Sequence, residues 1–248
     1  MQKEILTRMT THSNPIISVI ITAAGSSTRM GGSVKKEYLP LENGTVLSAS
    51  VKAFEAASKN QTKPFNLIKI IITIPADDEQ QALESVNPTD ELKQKLEFIS
   101  GGATRQKSIM NALEHIKQSS PQPDYILIHD GARPFVSEEV IQNVIAGTLE
   151  YGAAAPGINP TDTIKEIDDK GFIVKHLERK RLTAIQTPQG FLFEKLYEAH
   201  KKAAADSYEY TDDSEIWGKY LGSVKLVEGD SKNIKITYPG DLEKGGAK

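Results

Sequence analysis

Residues 16–41 read IISVIITAAGSSTRMGGSVKKEYLPL. The apolar run at their start is long enough for a buried strand over Ile16–Ala23, and it stops at Ala24, Gly25, Ser26, Ser27 and Thr28. Two cations follow, Arg29 and Lys36. Small residues after a strand let backbone N–H groups approach an anion closely, and Arg29 and Lys36 would add the positive charge that a polyphosphate requires. The bend is not a Walker A loop, because no Gly-Lys pair follows a Gly at the required spacing. Nor is it the G-x-G-x-x-G dinucleotide fingerprint, since Ser27 occupies the second Gly position. The competing reading is a surface loop with two solvated cations.

Downstream, strand-like runs alternate with helix-like stretches, which predicts an α/β fold with a wound, mostly parallel sheet flanked by helices. Helical spacing over Thr45–Ala57 is followed by a strand over Leu67–Pro75 and an acidic helix start at Asp77–Glu79. A strand over Leu96–Ser100 leads through GGATRQKS into an amphipathic helix. DYILIHDGARPFVSEEVIQNVI repeats the theme, with Ser137 as a helix N-cap. YGAAAPGI gives another buried strand. From Asn159 the alternation breaks down, and TDTIKEIDDKGFIVKHLER reads as a hairpin turning at Asp169–Lys170–Gly171, a β-arm of about 159–182 that projects from the sheet. The wound pattern resumes with FLFEKLYEAHKKAAA, a helix at Asp212–Leu221, a strand at Val224–Glu228 and a short strand around Lys235.

Length and composition set outer limits. The 248 residues suffice for one large domain or two small ones, and we expect a single domain over 15–248 behind a loose extension at 1–14, where Met9 offers a second start. A net charge of −3 gives no electrostatic case for a nucleic-acid or membrane partner. The absence of cysteine excludes disulfide and thiolate chemistry and suits the cytoplasm. No apolar run reaches the ~18 residues that a membrane span needs. Glu4 and the polar TTHSNP argue against an export signal ahead of IISVIITAA.

In a wound sheet, ligands bind beyond the carboxyl ends of the strands. Three polar bends occupy that position: AAGSSTRMGG, SGGATRQKS and HDGARP. In the third, Asp130 can hold a ribose hydroxyl or a metal-bound phosphate, and Arg133 can grip an anion bidentately; alternatively the two cap a turn and pair with each other. His129 is open to two readings, a general base or a packed residue at a strand end. The remaining histidines have no metal-ligand spacing, and no G-x-S-x-G elbow supports a nucleophilic hydrolase. YTDDSE reads as a helix start capped by Thr211 or Asp212, in preference to a metal site.

Taken in order, AAGSSTRMG…KKEYLPL, GGATRQKS, HDGARPFV, PTDTIK, QTPQGF, TDD and NIKIT…DL resemble the sugar-phosphate cytidylyltransferases, and among them the 2-C-methyl-D-erythritol 4-phosphate cytidylyltransferase family. The resemblance runs from about Ile16 to Leu242. It implies a Rossmann-like nucleotidyltransferase fold, Mg²⁺ with CTP as substrate, and a homodimer made through the β-arm. By position it implies Arg29, Lys36 and Lys235 as the cationic trio around the triphosphate, and Ala23, Ala24 and Gly25 as the CTP loop. Gly102 and Ser108 would read the cytosine, with Arg105 supporting that loop, and Asp130 and Gly131 would hold the ribose. Arg133 and Thr211 would face the second substrate, and Thr163 and Arg179 of the arm would meet the methylerythritol phosphate of a partner subunit. No protein ligand of the metal follows from it.

Three positions depart from the pattern: Ser27 stands where many relatives have Gly, Ala103 where some have an acid, and Lys35 where Pro often precedes the Lys. A ribitol 5-phosphate cytidylyltransferase shares most of these motifs, although AAGSS and HDGARP lean away from it. A non-catalytic nucleotide-binding protein on the same fold is the alternative from another class.

Overall fold

Strand β1 (Ile16–Thr22) runs through the middle of an eight-stranded sheet in the computed structural model, which describes residues 14–26, 30, 34–42 and 44–244. The expected extension at 1–14 therefore lies almost wholly outside the described residues, as do Ser27 and Arg29. A small hairpin of β2 (Pro40–Leu41) and β3 (Gly44–Thr45) leads into α1 (Val46–Ser58), where the Thr45 side chain caps the Ser48 N–H. On one side β1 pairs in parallel with β4 (Asn66–Ile74), which pairs with β5 (Leu96–Ser100). Between these two strands lie α2 (Glu79–Val86) and α3 (Asp90–Lys93). On its other side β1 pairs in parallel with β6 (Tyr125–Asp130), reached through α4 (Arg105–Gln118). The strand order thus reverses at β1, which opens a crevice there at the carboxyl ends of the strands.

Beyond β6, helix α5 (Glu138–Tyr151) leads to β7 (Ala153–Ile158); its N-cap is Ser137, as the sequence predicts. The strands β8 (Lys165–Ile167) and β9 (Ile173–His176) pair only with each other, forming the projecting hairpin. Its turn is held by Asp168, whose side chain accepts from the N–H groups of Lys170 and Phe172, while Gly171 supplies a φ of +83°. The chain returns as β10 (Ala184–Ile185) and β11 (Gln189–Leu192), both antiparallel to β7, with β11 also pairing with β6. Helices α6 (Phe193–Ala203) and α7 (Asp213–Tyr220), strand β12 (Lys225–Glu228) on β7, and α8 (Asp241–Lys244) complete the order.

Alternation along the central strands divides the core into two layers. Ile17, Val19 and Ile21 of β1 face Val51 and Phe54 of α1 and Val140 and Val144 of α5. Ile20 points the other way, toward Ile109 and Leu113 of α4 and Leu196 of α6. With helices on both faces, the central strands are buried along most of their length, and deleting a side chain such as Ile20 would cost about 2–5 kcal/mol.

One sequence expectation fails. The segment around Lys235 is no strand: Ile234 N–H turns back to Lys232 O, and Ile236 N–H reaches Ala132 O at 2.8 Å without a ladder forming. Alternating β-branched neighbours make Ile-Lys-Ile look like a strand, yet no neighbouring strand offers it a partner.

Candidate active site

A cleft of about 520 Å³ opens at the carboxyl ends of β1, β4, β5 and β6. The first two bends meet at its floor. A Cβ on Gly101 would come within 2.4 Å of Ala24 Cβ, so only glycine lets the loops approach this closely. Gly102 N–H then donates to Ser108 Oγ at 3.0 Å, which folds the second bend onto the start of α4. Thr104 caps that helix through the Lys107 N–H. The positive end of the α4 macrodipole therefore faces the cleft.

The third bend begins at Asp130, the last residue of β6, in register with Thr22 of β1. Lys235 Nζ lies 2.8 Å from Asp130 Oδ2, Arg133 Nε 3.7 Å from the same oxygen, and Arg105 Nε 3.6 Å from Oδ1. Burial alone would raise the Asp130 carboxyl, but the charges of Lys235, Arg105 and Arg133 hold it far below the usual carboxylate range. Lys36, also buried, donates from Nζ to Ile236 O at 2.9 Å, which brings it onto the segment that carries Lys235. A neighbouring lysine closes the first bend: Lys35 Nζ donates to Gly25 O at 2.5 Å, and burial pushes its ammonium below the ordinary lysine value.

His129 is packed. Its ring stands edge-on to Phe54 with centroids 5.0 Å apart, and its nitrogens meet Thr187 Oγ1 and Arg133 O, both at 3.1 Å. Burial pulls its pKa down to about 4, against the opposing pull of Asp130. The Thr187 hydroxyl also accepts from Asp130 N–H at 3.0 Å, so one side chain from the β10–β11 connection fixes the strand end.

Ala24, Gly25, Lys36, Gly102, Ser108, Asp130 and Lys235 line the cleft together. Ala23 is buried beneath it, donating to Thr73 O, and Gly131 is buried behind Asp130 with its N–H on Thr22 O. Arg133 turns away from the opening to donate to Asn233 O at 2.6 Å. Thr211 is exposed and donates to Glu215 Oε2 at 2.8 Å, while Asp212 provides the cap of α7 by accepting from Glu215 N–H. Thr163 and Arg179 are exposed on the arm and line no part of the cleft; Arg179 donates to Thr161 O at 3.0 Å. Arg29 lies outside the described residues. Sequence reasoning missed Met30, Glu37 and Glu209 on the cleft wall. Met30 and Glu37 sit inside the first quoted motif without a role being read for them, and Glu209 lies just ahead of TDD with no motif of its own. Among the described residues, no three His, Cys, Asp or Glu side chains gather as a metal cage.

A family model described as IspD, 2-C-methyl-D-erythritol 4-phosphate cytidylyltransferase, matches residues 17–247. An enzyme of that name from Clostridium beijerinckii is 40% identical over 227 residues, covering 92% of this chain and 95% of its own length. One from Caldanaerobacter subterraneus is 39% identical over 227 residues, covering 91% and 95%. The crystal structure of 4-diphosphocytidyl-2C-methyl-D-erythritol synthase from Anaerococcus prevotii superposes with a TM-score of 0.78 at 30% identity, covering 94% of this chain and 95% of that one.

Proposed function

Because the chain belongs to the 2-C-methyl-D-erythritol 4-phosphate cytidylyltransferase family, we infer that it transfers the cytidylyl group of CTP to 2-C-methyl-D-erythritol 4-phosphate, releasing diphosphate. This is a step of non-mevalonate isoprenoid precursor synthesis, which we assign to the cytoplasm.

The reaction asks the protein for positioning and charge stabilisation more than for covalent chemistry. A phosphate oxygen of the sugar alcohol attacks the α-phosphorus of CTP in line, the bond from that phosphorus to the bridging oxygen breaks, and diphosphate leaves with the electron pair. The attacking phosphate is already an anion near neutral pH, since its second pKa is about 6, so no general base is needed. His129, neutral down to about pH 4 with both nitrogens engaged, is accordingly left out of the chemistry.

Charge accumulates on the α-phosphate oxygens and the departing diphosphate, and we assign its neutralisation to Lys36, Lys235 and Arg29. What supports the two lysines is one observation: residues 200 positions apart along the chain converge on the closing segment, where Lys36 Nζ holds Ile236 O beside Lys235. Gly102 and Ser108 are assigned to the cytosine, Asp130 with Gly131 behind it to the ribose, and Arg133 and Thr211, neither of which lines the cleft, to the second substrate. A carboxylate has about four acceptor sites, so Asp130 keeps capacity for a ribose hydroxyl beside its cations.

Magnesium fits this cleft as an ion borne by the nucleotide. Among the described residues the wall offers Glu37, Asp130 and Glu209 but no closed set of ligands, and Mg²⁺ commonly takes one or two carboxylates plus substrate phosphates. Bound there it would offset phosphate charge.

Hairpin β8–β9 exposes Ile167, Phe172, Ile173 and Val174. A second copy of the chain would cover them, and we propose a homodimer in which Thr163 and Arg179 of one protomer serve the sugar phosphate bound to the other. Mixing Arg179→Ala with Lys36→Ala should then restore activity that neither has alone; no recovery would rule out shared sites.

Diphosphate release from CTP with methylerythritol phosphate, and separately with ribitol 5-phosphate, tests the main reading. We expect the first to be strongly preferred. Faster release with ribitol phosphate would reassign the substrate, and CTP binding without release would make the chain a nucleotide-binding protein.

A further inference from the structure

Behind the cleft lies a pair of buried titratable side chains that no step above uses. His200 on α6 and Asp213 at the start of α7 are both fully buried. His200 Nε2 stands 3.0 Å from Asp213 Oδ1, and Arg105 Nη2 stands 2.8 Å from Asp213 Oδ2. Arg105, the first residue of α4, lines the cleft and has its Nε 3.6 Å from Asp130 Oδ1. A continuous polar chain thus runs from the packed interface of α6 and α7 to the carboxylate at the end of β6.

Burial would raise the Asp213 carboxyl, but Arg105 and His200 hold it low, so it stays ionised. An ionised carboxylate only accepts hydrogen bonds, hence the proton of His200 sits on Nε2. Its buried Nδ1 has no hydrogen-bond partner, so Nε2 carries the ring's polar contact. With Oδ1 tied to the imidazole, Oδ2 is left to face Arg105, and the carboxylate cannot rotate without losing one contact. Asp213 and Asp130 compete for one guanidinium. The orientation of the first therefore sets where Arg105 stands relative to the second and to the cleft.

We propose that His200 is a positioning residue for the nucleotide site: its Nε2–H fixes Asp213, Asp213 fixes Arg105, and Arg105 presents its guanidinium to Asp130 and to the bound CTP. The proposal rests on the cytidylyl-transfer reading.

His200→Leu keeps comparable bulk and removes the donor, while His200→Gln keeps a donor nitrogen at similar reach. Calorimetric CTP binding and steady-state kinetics are to be measured on both beside the unmodified protein. The Leu variant should lose about tenfold in CTP affinity and in kcat/KM for CTP, with KM for methylerythritol phosphate unchanged, and the Gln variant should stay within about threefold of the unmodified protein. A merely structural histidine would lower the melting temperature of both and leave their CTP affinities alike, which would overturn the proposal. Should the unmodified protein bind CTP yet release no diphosphate, the transfer reading fails, and the affinity comparison still judges His200. If His200→Leu does not fold, ¹⁵N ring signals of His200 in the intact protein decide instead. An Nε2-protonated ring whose signals move on adding CTP supports the role, and signals indifferent to CTP reject it.

Discussion

At the end of β6, Lys235, Arg105 and Arg133 gather within 3.7 Å of one buried carboxylate. On the hairpin β8–β9, Lys175 stands 3.6 Å from Glu166, with side chains 65% and 56% exposed. The separations are similar and the surroundings are not. Two unit charges about 4 Å apart interact by about 1 kcal/mol in water and about 4 kcal/mol at the effective dielectric near a protein surface. The cleft therefore keeps its charges where the fold puts them, ready for an anion, whereas the arm's charges are free to rearrange.

The contrast breaks most visibly at Lys235. Its ammonium stands 2.8 Å from Asp130 Oδ2 and reaches the cleft wall. Lys235→Ala should lower turnover at saturating CTP and methylerythritol phosphate by about 10²–10³-fold, by analogy with removing one transition-state donor. Folding should persist, because Arg105 and Arg133 still face Asp130. Diphosphate release measures the effect, and a loss smaller than about tenfold would take Lys235 out of the charge-bearing set.

His129 sharpens the comparison by showing how the buried side responds to pH. In the folded protein the ring stays neutral down to about pH 4, whereas the unfolded chain takes the proton near 6.5. Between those values the unfolded state binds more protons, so stability is full above about pH 6.5 and falls as pH drops toward 4. The loss totals about 3 kcal/mol. His129→Gln cannot titrate. Its unfolding free energy, followed by urea denaturation, should approach that of the unmodified protein by this amount between pH 7 and pH 4. A pH-independent gap would mean that His129 is not held neutral.

The two regions also differ in how well the sequence announces them. The central strands, the helix caps Ser137 and Asp212 and the hairpin turn at Gly171 are local, and apolar periodicity with those residues is enough to read them. Asp130 stands out because it ends a strand and Lys36 because it follows a small-residue bend, whereas Lys235 is marked only by the family resemblance, and no local pattern says that the three meet. The relay behind them is hidden further. Asp213 looks like one more acid in a helix start, although its neighbour Asp212 does the capping and Asp213 turns inward to His200 and Arg105. His200 follows Leu196 and Ala199 on the apolar face of α6, where a histidine reads as packing alone. Thr187 and Asn233 belong to loops without periodicity, and their hold on Asp130 and Arg133 exists only once the sheet has closed.

The smallest effect is expected on the arm, and its smallness is informative. Lys175→Ala removes an exposed ion pair of the kind that contributes about 0–1 kcal/mol, so urea unfolding should shift by less than about 1 kcal/mol and diphosphate release should not change. In 1 M salt, where the screening length shortens to about 3 Å, even that shift should fade. The value depends on the pair being wet. If the proposed second copy covers Ile167, Phe172 and Ile173, water leaves their surroundings on docking, and Lys175 would lose its solvation with them. A Lys175→Ala effect that grows with protein concentration would therefore locate the pair inside a contact between chains. An effect independent of concentration keeps the pair at the open end of the hairpin, and confines any dimer contact to the apolar residues beside it.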